Sequence, residues 1–137
     1  MSDVSFKLFD SILKTLSDNY GKELSILEIA KKVYPDYYYG KKDFPYDIQN
    51  INDQHSTDII NSLNFLDSNG YINLNFPLQK ASINAKGLMK IRTEGFQKEY
   101  NRRFWNTILQ RWTWIILPIA GAVTAICAII NVCRCGS

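Results

Sequence analysis

The chain is poor in the residues that carry most protein chemistry. It has one histidine, His55, and three cysteines, Cys127, Cys133 and Cys135, gathered near its C-terminal end. A structural zinc site takes four ligands at matched spacing, and neither a CxxC pair nor a second histidine is there to provide them. A Gly-rich phosphate loop, a GxSxG elbow and a Cys/His pair are missing too. His55 sits where a polar stretch opens a helix, and an exposed or capping role suits it better than that of a base. Asp43 and Asp47 lie on a loop without a matched second group. These absences predict a protein that is not an enzyme, with no catalytic residue, metal site or cofactor.

Cations are absent over a long window. No Lys or Arg occurs between Lys42 and Lys80, while Asp43, Asp47, Asp53, Asp58 and Asp67 fall inside it. Binding a polyanion draws much of its affinity from Lys and Arg on phosphates, so the window disfavours nucleic acid. Residues 1–79 carry 7 Lys against 11 Asp and Glu, net −4. Residues 80–111 carry 8 Lys and Arg against 2 Glu, net +6, and only Arg134 follows, so the total of +3 is a cancellation. Abundant Ile, Asn, Lys and Tyr suggest an AT-rich microbial or viral source.

Charge vanishes altogether from Thr113 to Cys133, a run of 21 residues. As a helix the run is about 31 Å long at ~1.5 Å per residue. That matches a hydrocarbon core of roughly 30 Å, so a single transmembrane helix is predicted over 113–133. Residues 96–112 form a basic, aromatic approach to it, and 134–137 a short tail. Trp105, Trp112 and Trp114 cluster at the entry like an interfacial belt. Arg102, Arg103 and Arg111 stand beside them, with anionic lipid headgroups as their nearest partners. The cations precede the span and only Arg134 follows, which places the N-terminal domain in the cytoplasm. For a prokaryote the membrane is the inner one. The first residues, Met-Ser-Asp-Val-Ser, have no basic or apolar signal region, so the span is expected to insert late, as a tail anchor. Ala120, Thr124 and Ala128 recur at i+4, with Gly121 and Ala125 as a second small pair. Such a stripe lets helices pack closely in a bilayer. Pro118 is expected to kink the span.

The first 95 residues read as a small domain. Phe6, Phe9, Ile12, Leu13 and Leu16 keep helical spacing after a cap at Asp3 or Ser5, and Asn19-Tyr20-Gly21 ends that helix. Ser25-Ile26-Leu27-Glu28 is a capping box for a second helix, with Ile26, Ile29, Ala30 and Val33 inward and Pro35 closing it. Residues 37–52 read as a loop. A third helix starts near Asp53–Ser56, buries Ile59, Ile60, Leu63 and Leu66, and ends at Asn69-Gly70. Tyr71 to Phe76 alternates as a strand, and Ala81-Ser82-Ile83 returns antiparallel after a short turn. Asn84 caps a fourth helix through Leu88, Met89 and Ile91, Gly95 interrupts it, and a last helix runs from Phe96 into the span. The fold class is mainly α with a small two-stranded β-wing.

Two stretches carry a family likeness. Leu63-x-x-Leu66-x-x-x-Gly70-Tyr71-Ile72 resembles the end of a third helix entering a first wing strand. Ile83-Asn84-Ala85-Lys86-Gly87 resembles a second wing strand entering the next helix. Together, over about residues 5–95, the chain resembles the winged helix-turn-helix superfamily. The likeness implies that Gln54, His55, Thr57, Asp58, Asn61 and Ser62 begin the helix that reads DNA in members that bind it. The connection from Val33 to Asp53 is longer than the short turn usual there.

The connection is rich in aromatics: Tyr37, Tyr38, Tyr39, Phe44 and Tyr46. Part of this set is expected to pack on the core and the exposed part to contact a protein partner, since Tyr offers area at low entropic cost. The leading expectation is a membrane-anchored winged-helix module working through protein contacts and self-assembly as an oligomer. Two alternatives stand beside it. One is a membrane-perturbing effector of a microbial defence or toxin system, including antiviral defence, acting as an oligomer. The other is a membrane-tethered transcription regulator.

Overall fold

The computed structural model describes residues 3–45 and 53–136, with backbone alone for Asp3, Val4 and Cys135. Tyr46 lies outside these residues, and so does the side chain of Asp3 as a cap. The described chain is mainly helical, with one three-stranded sheet and a long apolar C-terminal helix. It divides into two compact units, residues 1–100 and 101–137. In order, the elements are α1 (Asp3–Asp18), β1 (Leu24–Ser25), α2 (Ile26–Val33), α3 (Pro35–Tyr38), α4 (Gln54–Ser68), β2 (Ile72–Asn75), β3 (Lys80–Ile83), α5 (Ala85–Thr93) and α6 (Gly95–Cys135).

The first unit is built on one apolar core. Phe9, Ile12, Leu13 and Leu16 of α1 meet Ile26, Ile29 and Ala30 of α2 and Ile59, Ile60, Leu63 and Leu66 of α4, all buried. Full burial of each such aliphatic side chain contributes roughly 1.5–3 kcal/mol relative to exposure. The capping box forms as the spacing predicts. Glu28 N–H donates to Ser25 Oγ at 3.2 Å, and Ser25 N–H donates to Glu28 Oε2 at 2.8 Å. The Ser25 backbone and hydroxyl together hold the Glu28 carboxyl below its usual range. Asp53 caps α4, and Gly70, at φ +68, closes it with its N–H on Asp67 O.

The sheet has three strands where the sequence suggested two. Its order is β1-β3-β2, antiparallel throughout, with Leu24 opposite Ala81 and Ile72 opposite Ile83. β1 has only two residues, too few to show alternation. It exists because Ser25 both pairs with Lys80 and caps α2. Ile72, Ala81 and Ile83 face the core, while Asn73, Asn75 and Lys80 face out.

The connection after α2 is not all loop. Pro35 does not simply stop α2, which ends at Val33; it starts the short helix α3 from the first-turn position, where its missing N–H costs nothing. α3 delivers Tyr38 into the core, with Phe44 stacked on it at 5.7 Å between centroids.

The two stretches that carried the family likeness pack against each other. Asn84 Nδ2 donates to Gly70 O at 2.7 Å, and Lys86 Nζ to Asn69 O at 2.6 Å. Asn84 Oδ1 accepts from Gly87 N–H at 3.0 Å and so caps α5. A Cβ on Gly87 would sit 2.0 Å from Tyr71 O, which is why only glycine fits there. Gly95, at φ +68, turns the chain into α6, and the Phe96 and Gln97 N–H groups in its first turn donate to the Asp10 carboxylate at 2.7 and 2.9 Å. Phe96 is buried among Phe9, Phe65 and Tyr71, and Tyr100 stacks on Phe6 at 5.0 Å. Lys90 pairs with Glu99.

Candidate membrane helix and partner surface

Most of the second unit is the rest of α6. The helix reaches 41 residues and continues through Pro118. Its most apolar 18-residue window has a mean hydropathy of 2.4, and none of that window is buried. One helix among the described residues is therefore long and apolar enough to cross a membrane.

The side chains expected at the interface all sit on this helix and all face outward: Arg102, Arg103, Trp105, Arg111, Trp112 and Trp114. Trp105 has Phe104 edge-on at 6.2 Å. Helical spacing spreads the three Trp rings over more than one face, as an encircling belt requires. Further on, Ala120, Gly121, Thr124, Ala125 and Ala128 form the small stripe. Thr124 Oγ1 donates to Ala120 O at 2.9 Å, so its hydroxyl is satisfied within the helix. Nothing lies within 4 Å of where a Gly121 Cβ would stand. Cys127 and Cys133 are free thiols on the same helix.

The aromatic set on the connection divides sharply. Tyr38 and Phe44 are core residues, 0% and 4% exposed, so they cannot meet a partner. Tyr39 is 90% exposed and Tyr37 38%, so among the described residues of the set these two remain as candidate contacts. Tyr37 is partly engaged: Lys41 Nζ lies 3.7 Å above its ring, and its side chain hydrogen-bonds Asp53.

Beside Tyr37 runs a partly buried polar chain that the sequence did not show. Ser56 Oγ donates to Asp53 Oδ2 at 2.5 Å, and Tyr38 Oη lies 2.6 Å from Ser56 Oγ. Ser56 has one proton, already given to Asp53, so Tyr38 must be the donor to Ser56. Burial, followed by the charge of Asp53, pushes the Tyr38 phenol up to about 12. Partial burial pulls the Asp53 carboxyl upward, but the bonds from Ser56, Tyr37 and His55 N–H outweigh it and hold the group below its usual range. The available signal was Ser56 itself, a small polar residue on the inward stripe of α4 three residues before Ile59.

This chain of contacts occupies the start of α4. His55 packs between Tyr34 and Tyr37, at 4.5 and 4.9 Å between centroids. Gln54 Nε2 donates to Asp58 Oδ1 at 2.7 Å, and Ser62, buried, donates to Asp58 O. Thr57 Oγ1 donates to Asp53 O. Of the six residues that the family likeness set at the start of a DNA-reading helix, only Gln54 and Asn61 are exposed. Among the described residues no three His, Cys, Asp or Glu side chains converge.

The chain matches no protein-family model, no curated protein and no solved structure.

Proposed function

We propose that this chain is a single-pass membrane protein. A non-enzymatic winged-helix module, residues 1–95, is carried on the cytoplasmic face by a transmembrane helix over 113–133 and acts through protein contacts and self-assembly. The observation that carries the proposal is the unburied apolar window of α6. A soluble helix of that apolarity needs a core around it; a bilayer supplies one at the right thickness. The basic flank supports the orientation, and Arg102, Arg103 and Arg111 suit anionic headgroups at roughly 1 kcal/mol per well-placed cation.

The winged-helix reading is supported by the order α1, β1, α2, α4, β2, β3 and by a hairpin that follows α4 directly. The short helix α3 lies within the long connection. Protein contact is favoured over DNA because the first turn of α4 is already engaged and its window lacks cations. Tyr37 and Tyr39 supply the exposed aromatic area for such a contact.

Self-assembly is tested by crosslinking the full chain in membranes. The wild type should give oligomers, and Gly121→Leu or Ala125→Leu should reduce them several-fold. Position 121 has open space around it in the single chain, so a loss there reports on association and not on the helix. A wild-type chain that stays monomeric would reject the assembly reading.

A further inference from the structure

The hairpin between β2 and β3 ends in residues unusual for a wetted turn. Such tips draw on Gly, Asn, Asp and Ser, yet this one reads Phe76-Pro77-Leu78-Gln79. Phe76 is 42% and Leu78 60% exposed. No charged residue occurs between Asp67 and Lys80. The tip is firmly held. Leu78 N–H donates to Asn75 Oδ1 at 3.2 Å, Gln79 N–H to Phe76 O at 3.0 Å, and Ile26 N–H to Gln79 O at 2.9 Å. Gln79 takes a left-handed φ of 54° within this turn. The backbone that carries two large, exposed apolar side chains is thus held in place. Strand addition beside them is blocked, because Asp67 Oδ1 accepts from Leu74 N–H at 2.9 Å on the outer edge of β2.

We propose that the Phe76–Leu78 tip inserts into the headgroup boundary of the membrane that α6 enters. This rests on the anchored reading above. An aromatic and an aliphatic side chain next to a lysine is the composition of interfacial insertion. Lys80 supplies the cation; it shares a 3.8 Å pair with Glu23, and both side chains stay about half exposed. The basic block of residues 80–111 begins at that same lysine. Connectivity favours lipid over a soluble protein. On that reading the anchor holds the first unit on the membrane, and a tethered contact needs little intrinsic affinity.

The test uses the full chain with Cys127, Cys133 and Cys135 replaced by Ala. Leu78→Cys or Phe76→Cys carries an environment-sensitive fluorophore, with Lys14→Cys on α1 as the exposed control. The chain is reconstituted in phosphatidylcholine vesicles containing one-third phosphatidylglycerol and acyl-chain spin-labelled lipid, then washed at alkaline pH. The labels at 76 and 78 should emit at shorter wavelength than the control and be quenched several-fold more strongly by the lipid spin label. Emission and quenching equal to the control would overturn the proposal. Shielding from aqueous iodide without lipid quenching would overturn it too, and would assign the tip to a protein contact. A chain that washes off the vesicles rejects the anchored reading, and the tip with it; a retained chain with a wetted tip rejects the tip alone.

Discussion

Replacing Tyr38 with Phe keeps the buried ring and its stacking on Phe44 and removes one hydroxyl. That hydroxyl donates to Ser56, whose own proton is committed to Asp53. The loss at neutral pH is one buried hydrogen bond, about 1–2 kcal/mol. A domain of this size responds by roughly 4–8 °C in Tm per kcal/mol. Alkaline pH changes the comparison. Burial, with Asp53 adding to it, raises the phenol from 10.0 in the unfolded chain to about 12 in the folded one. The folded state therefore holds this proton more tightly. Its contribution is complete below pH 10 and is lost as pH rises from 10 through 12, a fall of about 2–3 kcal/mol at ~1.4 kcal/mol per unit. Tyr34 is raised as well, but it is common to both proteins. The assay is denaturant unfolding of the full chain in detergent micelles, wild type against Tyr38→Phe, from pH 8 to 12. The wild type should be the more stable at pH 8, and the gap should close or reverse by pH 12. A gap constant across that range would refute both the burial of the phenol and the hydrogen-bond chain drawn through it.

Substitutions at three further positions probe the same unit. Gly87→Ala drives a Cβ into the Tyr71 carbonyl and should cost about 3 kcal/mol or more, seen as loss of the folding transition or a large fall in its midpoint. Asp10→Ala removes both acceptors from the first N–H groups of α6 and should cost roughly 1–2 kcal/mol, with Asp10→Asn retaining about half; urea midpoints of the three proteins check the order. Ser25→Ala breaks the capping box and should cost about 1 kcal/mol. Because the Glu28 carboxyl is held below 4.5 in the folded state, that loss should shrink as pH falls through and below this range, which acid titration of the two proteins would show.

The helices were legible because their cores follow one period: Phe9, Ile12, Leu13 and Leu16, then Ile59, Ile60, Leu63 and Leu66, recur at three and four and are all buried. The caps at Ser25 and Asn84 were legible because each side chain answers an N–H group three residues ahead of it. The apolar span was legible from length alone. What escaped depends on residues far apart in sequence. Two-residue β1 has no period and is defined by its partner β3, some 55 residues on. Tyr38 looks like its neighbours Tyr37 and Tyr39; only Ser56, 18 residues later, separates the buried ring from the exposed ones. Pro35 read as a stop because a proline after a helix ends it and a proline before a helix starts one, and nothing local decides between them. The docking of Asp10 on α6, 86 residues away, was likewise out of reach of local pattern.

If α6 crosses a bilayer with the first unit on the cytoplasmic side, as proposed, protease digestion of the full chain in alkaline-washed, sealed membrane vesicles with their cytoplasmic face outward has a definite outcome. The chain should survive the wash in the membrane, residues 1–100 should be digested, and a small fragment holding residues 113–133 should be protected. Release of the intact chain by the wash, or protection of the whole first unit from protease, would contradict the proposal.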